Sequence, residues 1–334
     1  MEVKLKVFRY DPEIEDARSI GAEQPGNYQD YTLEMPESAT VLDALLKIRE
    51  EEDGTLSFRC SCRSAICGSC SMRIGDQAGL ACKEKLVEHR EKSGEVKIDP
   101  MGNLPLIKDL VVDMGPFWSK IRAVDPWLRP TGPEPEREYL VPNERMQELI
   151  GVMNCIMCGA CVSDCNSLAV DKGFLGPAAL AKAYRFVRDP RDGTYEERLD
   201  SLTDITGVWD CTHCFYCVEV CPKGVAPMDR IMDMRRYGVE AGYSDSNGAR
   251  HMDSLAKSVR ESGWLDELKL TIETLGWFNI KELLSFLPTG LRALRANKMP
   301  PILHHSRPGA DQVKRIFDKV ESSTQGTETH DAHL

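Results

Sequence analysis

Two cysteine runs with the same internal spacing constrain this chain more than any other feature. The first reads CIMCGACVSDC over Cys155–Cys165, and the second, CTHCFYCVEVCPKG, begins at Cys211 and places Pro222 directly after Cys221. Each is spaced C-x2-C-x2-C-x3-C. Cysteines three apart in a tight loop aim their sulfurs at corners of one cube, while the last, on the helix that follows, points the other way. Two such runs therefore suit two cubane iron–sulfur clusters that exchange their fourth ligands. A zinc site closes with four ligands and would leave half of these eight cysteines without work.

Composition narrows the setting. At 334 residues the chain is long enough for about two domains with cores of their own. Its net charge of −11 argues against nucleic acid as a partner, because phosphate binding wants a basic face. The N-terminus MEVKLKVFRYD reads as a strand and not as a signal peptide, so a reducing compartment is expected in which the thirteen cysteines are free to bind metal. No stretch approaches the roughly 18–20 apolar residues that span a bilayer, so any membrane contact is expected to be peripheral or made through a partner.

Residues 1–103 read as a small domain. Val3, Leu5 and Val7, then Tyr31, Leu33 and Met35, alternate with polar residues as half-buried strands do. The polar stretch 12–29 between them reads as a long hairpin connection. SATVLDALLKIREEE reads as a helix with Val41, Leu42, Leu45 and Ile48 on its apolar stripe and a capping box at Thr40 and Asp43. Strands at Ser71–Ile74 and Glu95–Ile98 complete a mixed sheet, the outline of a plant-type ferredoxin (β-grasp) domain. Cys62-x4-Cys67-x2-Cys70 followed by Cys82 has the plant-type 2Fe-2S spacing, and Ser61, Ser64, Ala65, Gly68 and Ser69 keep the loop small enough for backbone N–H groups to reach the sulfurs. Cys60 is left over, and reads as a half-buried thiol.

Residues 104–142 are rich in proline and read as a stiff connector, with a short helix expected over LIKDLVVDM. Residues 143–240 form the second expected domain, an all-helical bacterial two-cluster ferredoxin unit, with GPAALAKAYRFVRD and APMDRIMDMRRYG as helices around the two cysteine runs. The fold class is thus α+β. A helical extension is expected over 241–320, broken at Gly276 and Pro288, and a disordered tail over 321–334. The extension carries Trp264, Trp277 and Phe278 with Arg292, Arg295 and Lys298. It reads as an arm packed on a partner subunit or on its own domain, ahead of a membrane-surface segment.

With three cluster motifs in this order, the chain resembles the iron–sulfur subunit of succinate dehydrogenase and fumarate reductase. PLIKDLVVDMGPFW, GFLGPAALAKAYRFVRDPRD, ERLDSLTDITGVWDC and CPKGVAP extend the likeness beyond the cysteines, over roughly residues 1–240. The resemblance implies an electron-transfer subunit. Electrons from a flavin (FAD) held by a partner flavoprotein would enter a 2Fe-2S cluster on Cys62, Cys67, Cys70 and Cys82. They would pass to a 4Fe-4S cluster on Cys155, Cys158, Cys161 and Cys221, then to a third cluster on Cys165, Cys211 and Cys217 that serves quinone. Dicarboxylate chemistry belongs to the flavin subunit, and this sequence agrees in having no G-x-G-x-x-G flavin fingerprint. The implied location is peripheral, at the cytoplasmic face of the inner membrane, held by partner subunits.

Two departures from the family pattern matter. Most members have a noncysteine residue at position 214 and a 3Fe-4S third cluster, whereas this chain has Cys214, a candidate fourth ligand for a 4Fe-4S cluster. The proline and tryptophan usual after the first run, where quinone binds, are replaced by Asn166-Ser167-Leu168-Ala169-Val170. Both features, with the long C-terminal arm, resemble the branch whose partner is a cysteine-rich, heterodisulfide-reductase-like subunit instead of a haem-bearing membrane anchor. A lower-potential third cluster suits menaquinone or a thiol partner. The rival readings are a free polyferredoxin carrier, or a subunit serving a thiol:fumarate or heterodisulfide reductase.

Overall fold

The computed structural model describes residues 1–15, 26–204, 206–301 and 304–328, and the chain divides into two compact units, Met1–Tyr237 and Gly238–Leu334. The first is mixed α/β, with a sheet at its N-terminal end and helices after it. The second is helical.

The sheet is built from β1 (Glu2–Arg9), β2 (Asn27–Glu34), β3 (Ser71–Ile74), β4 (Gln77–Leu80) and β5 (Val96–Asp99) in the order β2-β1-β5-β3-β4. β1 pairs antiparallel with β2, Leu5 facing Tyr31 and Val3 facing Leu33, and parallel with β5, Val7 facing Ile98. Alternation decides which face is inside, and Val3, Leu5, Val7, Tyr31 and Leu33 are all buried as their period requires. The helix Val41–Lys47 lies in the same core. It starts where Thr40 accepts from the Asp43 N–H at 3.2 Å while the Asp43 carboxylate accepts from the Thr40 N–H at 2.9 Å. Its stripe of Val41, Leu42 and Leu45, continued by Ile48 in the π-helical turn Ile48–Glu52, is buried. Each such side chain contributes ~1.5–3 kcal/mol. β4 is an addition to the sequence expectation. Gly75 and Asp76, with Gly75 at φ 65°, form a two-residue turn that folds it back on β3.

Residues 106–114 differ from expectation. Instead of a helix they form β6 (Leu106–Lys108) and β7 (Val111–Val112), an antiparallel pair turned at Asp109, φ 47°. The buried Asp109 carboxylate accepts from Tyr10 N–H at 3.0 Å, Ser57 N–H at 2.8 Å and Arg9 Nε at 3.0 Å. Those long-range donors, with β-branched Ile107, Val111 and Val112, favour the turn over a helix. The helix Gly115–Arg122 follows with Pro116 in its first turn and buries Phe117 and Ile121.

The helices Asn143–Gln147, Ile150–Met153, Ala160–Ser163, Asn166–Val170, Pro177–Val187, Tyr195–Thr203, Tyr216–Glu219 and Pro227–Glu240 follow. Pro177–Val187 is buried on most sides, with Leu180, Ala183, Tyr184 and Val187 inside, and Pro177 pre-sets φ in its first turn.

In the second unit the helix Asn247–Ser262 packs on Glu267–Leu275 through buried Ser254, Ser258 and Ser262, whose small side chains allow close approach. Ser258 Oγ accepts from the Asp266 N–H at 2.7 Å. Trp264 stacks on His304 and donates Nε1–H to His305 O at 2.7 Å. Two short helices, Ile280–Ser285 and Leu287–Arg295, come next, and a helix Ala310–Glu328 closes the described chain. It runs into the stretch expected to be disordered, because Val313, Ile316 and Val320 keep a helical period; residues 329–334 lie outside the described residues, as does 16–25 of the expected hairpin connection.

Candidate electron-transfer site

The loop between the π-helical turn and β3 has no regular structure, and it turns its N–H groups inward at Arg63 (φ 58°), Ala65 (φ 53°) and Gly68 (φ 72°). Cys62 Sγ accepts from the N–H groups of Ser64 (3.4 Å), Ile66 (3.5 Å) and Cys67 (3.3 Å), and Cys82 Sγ accepts from Ala65 N–H at 3.3 Å. Cys67 is exposed, and the Ser69 hydroxyl with nearby N–H groups pulls it down to about 6. Cys70 is the opposite case. Burial pushes it up to about 12, with Cys82 and Cys67 facing it. The loop is thus a nest of donors around these four thiols. Cys60 lies half-buried against the sheet core, and it is in hydrophobic contact there.

The two later runs adopt matching backbones. Met157 and His213 both sit at φ 57°, and Gly159 (φ 83°) matches Phe215 (φ 66°), each followed by a four-residue helix at Ala160–Ser163 or Tyr216–Glu219. This correspondence puts Cys214 in the second run where Cys158 stands in the first.

The eight thiols separate into two sets that cross the runs. Cys155, Cys158, Cys161 and Cys221 line one cavity with Phe117, Ala178 and Val225. Burial pushes Cys158 up to about 11, with Cys155 and Cys221 as neighbours, and holds Cys161 well above its ordinary value. Cys165, Cys211, Cys214 and Cys217 form the other set. Burial pushes Cys217 up to about 12, with Cys211, Cys165 and Cys214 facing it, and raises Cys165, which faces Cys214 and Cys211.

All thirteen cysteines are free thiols. At Cys158, Cys161, Cys165, Cys211 and Cys217, burial and neighbouring cysteines disfavour the thiolate, so the donor chemistry fits a multi-iron cation that would supply the missing positive charge. Backbone donors support this fit, including Val225 N–H to Cys221 Sγ at 3.4 Å. Among the described residues, no group of three His, Cys, Asp or Glu side chains is arranged to hold a single ion.

Several residues that hold the site carry no spacing signal. Gly68 touches the first run, because a Cβ there would lie 2.8 Å from Cys158 Cβ and 3.2 Å from Ile156 O. Asn103 Nδ2 donates to the carbonyls of Val162 (2.9 Å), Ser163 (3.2 Å) and Cys165 (2.9 Å). Asp164 accepts from Ala78 N–H at 2.7 Å and pairs with Arg73 at 3.3 Å, tying the first run to β3 and β4. Arg235, only 4% exposed, donates to Val208 O (2.9 Å), Trp209 O (3.1 Å), Cys211 O (2.7 Å) and His213 Nε2 (2.5 Å). The segment Asn166–Val170 is a short helix with Leu168 buried and Val170 90% exposed. Among the described residues no helix is long and apolar enough to cross a membrane.

Comparison with known proteins gives two family matches: a 2Fe-2S iron-sulfur cluster binding domain over residues 4–119 and a 4Fe-4S dicluster domain over residues 151–225. The chain is 39% identical over 241 residues to the fumarate reductase iron-sulfur subunit of Mycobacterium tuberculosis, covering 72% of this chain and 92% of that one. It is 37% identical over 239 residues to the succinate dehydrogenase iron-sulfur subunit of Paracoccus denitrificans, covering 71% and 88%. In fold it is similar to a chain of the Mycobacterium smegmatis Sdh1 complex in the apo form, with a TM-score of 0.65 at 24% identity, over 73% of this chain and 98% of that one.

Proposed function

Because this chain belongs to the family of succinate dehydrogenase and fumarate reductase iron–sulfur subunits, we propose that it is the three-cluster electron-transfer subunit of a succinate:quinone oxidoreductase. In this reading the sheet domain is a plant-type ferredoxin β-grasp fold and the helices after it a two-cluster ferredoxin unit. Cys62, Cys67, Cys70 and Cys82 hold a 2Fe-2S cluster, and Cys155, Cys158, Cys161 and Cys221 a 4Fe-4S cluster. Cys165, Cys211, Cys214 and Cys217 hold the third, a 4Fe-4S cluster. Bound clusters supply one-electron uptake and release. The chain's own part is to hold the thiolates, to donate N–H bonds to their sulfurs and to keep the sites in contact.

That contact is the observation which carries the reading. Gly68 of the Cys62–Cys70 loop abuts Cys158 of the Cys155, Cys158, Cys161 and Cys221 set, and Cys161 of that set faces Cys217 of the other. The order from 2Fe-2S to third cluster is therefore continuous through the chain. The partner flavoprotein carries FAD and the dicarboxylate chemistry, and quinone, menaquinone by preference, receives or supplies electrons at the third cluster. Cys214 and the Asn166–Val170 segment favour a cysteine-rich, heterodisulfide-reductase-like subunit over a haem-bearing anchor. The complex would sit at the cytoplasmic face of the inner membrane, with this chain peripheral. Reconstitution tests the reading. The purified, cluster-loaded chain should show no succinate–dye reductase activity until a flavoprotein partner is added. Turnover by the chain alone, or no association with that partner, would overturn it.

A further inference from the structure

The second unit leaves an apolar face uncovered. Trp277 is 61% exposed and Phe278 97%, and along the helix Leu287–Arg295 the residues Leu287, Leu291 and Leu294 are 54%, 50% and 63% exposed. Their spacing of four and three puts them on one side of that helix. Leu284, on the preceding helix Ile280–Ser285, is 58% exposed. Soluble chains rarely leave so many neighbouring large apolar side chains in water unless something covers them.

Charge identifies what covers them. Between Gly276 and Pro300 the sequence has four basic residues, Lys281, Arg292, Arg295 and Lys298, against one acidic residue, Glu282, in a chain whose net charge is −11. None of the four basic side chains is in an ion pair among the described residues. On the helix Leu287–Arg295, Arg292 and Arg295 lie beside the leucine stripe and not within it. A protein partner would have to bring carboxylates to all four cations or leave them at its solvated rim. An apolar stripe flanked by unpaired arginines on its own helix, with Lys281 and Lys298 on either side in sequence and Trp277 and Phe278 before it, suits a helix lying in a lipid–water interface. The segment is also too short to span: Ile280–Ser285 and Leu287–Arg295 are six and nine residues long.

We propose that residues 276–299 bind an anionic phospholipid surface directly, lying in its plane with the leucine stripe inserted and the basic residues at the headgroups. The proposal is independent of which cysteines hold which cluster. The test is co-sedimentation of the cluster-loaded full chain with vesicles of phosphatidylcholine alone or mixed equally with phosphatidylglycerol. Binding is expected to the mixed vesicles, weakening as salt rises. Leu287→Glu/Leu291→Glu and Arg292→Glu/Arg295→Glu should each weaken it by on the order of tenfold or more. The charge-reversed pair should regain binding on vesicles containing a cationic lipid. Because all of these side chains are exposed, the cluster absorbance and helical content of both variants should match those of the parent chain. A chain that stays in the supernatant with both vesicle types would overturn the proposal. So would equal binding to both with no effect of charge reversal, or variants that lose the flavoprotein partner while vesicle binding is unchanged.

Discussion

Arg235 is a buried cation that has no carboxylate within ion-pair distance among the described residues. An unpaired buried charge is costly unless another charge answers it. Here its donors reach the carbonyls of Val208, Trp209 and Cys211 and the ring of His213, and the negative groups that face it are Cys211 and, beyond ion-pair distance, Asp210, so a Cys211 thiolate supplies part of the compensating charge. A fixed positive charge at this place favours the more reduced state of whatever the thiolates hold. Arg235→Met should therefore lower the midpoint potential of the third cluster by on the order of 60 mV, the equivalent of about 1.4 kcal/mol for one electron, while Arg235→Lys keeps most of it. EPR-monitored redox titration reads the shift, and an unchanged potential with all clusters present would refute it. Cys214 makes a second prediction at the same site. It faces Cys165 and Cys217 and takes the backbone position that Cys158 takes in the other run. The oxidised protein should be EPR-silent at the third cluster, since a 3Fe-4S cluster is paramagnetic when oxidised and an ordinary 4Fe-4S cluster is not. Cys214→Ser should bring up the oxidised 3Fe-4S signal. A strong signal in the intact oxidised protein would show Cys214 to be a spare thiol.

Elements held by local pattern were legible in the sequence, and those held by distant partners were not. Alternation marks β1 and β2, and the Thr40–Asp43 box marks the start of Val41–Lys47, because in both cases neighbours in sequence supply the physics. The β6–β7 pair depends on Asp109 reaching Tyr10 and Ser57, which no local pattern encodes. Cysteine spacing marked all twelve candidate ligands, but Gly68, Asn103, Asp164 and Arg235 act on carbonyls and side chains far along the chain and carry no spacing of their own. Arg198 is of the same kind. From the helix Tyr195–Thr203 it donates to Val124 O (3.2 Å), Asp125 O (3.0 Å) and Trp127 O (2.8 Å), and pairs with buried Asp192 at 2.9 Å. Burial pushes the Asp192 carboxyl up, but hydrogen bonds from Arg198, Thr194 and the Arg129 N–H outweigh it and hold it below the usual range. A carboxyl depressed in the folded state stabilises above its unfolded value of about 3.9 and loses that contribution as pH falls through the folded value. Arg198→Met leaves Asp192 buried and unpaired, so about 3–5 kcal/mol of stability should be lost at neutral pH. Urea denaturation across pH checks both parts. The gap between parent and variant should narrow below about pH 4, and a gap independent of pH would mean that packing, not charge, is what Arg198 provides.

Within the first unit, the sheet and the helical part meet at a place where the two kinds of cysteine loop touch, and Gly68 lies at that contact. Its φ of 72° already favours glycine, and a Cβ there would fall 2.8 Å from Cys158 Cβ and 2.9 Å from Cys158 Cα. Cys158 has little room to yield, because it lines the cavity of its own set and lies in a tight turn between Met157 and Gly159, both at positive φ. The least costly response to Gly68→Ala is for the two loops to move apart by a few tenths of an ångström, each keeping its own cysteines. Strain and overlap together should cost about 1–3 kcal/mol, while the spectra of both clusters persist. Electron passage between them should slow, since tunnelling falls off exponentially with separation. Gly94→Ala is the control, for Gly94 has a similar φ of 78° but nothing within 4 Å of its added Cβ, so it bears the backbone strain without the clash. Freeze-quench EPR of the reconstituted complex, mixed with succinate, follows the arrival of electrons at the 2Fe-2S and 4Fe-4S clusters separately. Slowing in Gly68→Ala and not in Gly94→Ala would locate the transfer path at the Gly68–Cys158 contact. Equal rates in both variants, or loss of the 2Fe-2S spectrum itself, would mean that Gly68 serves only its own loop.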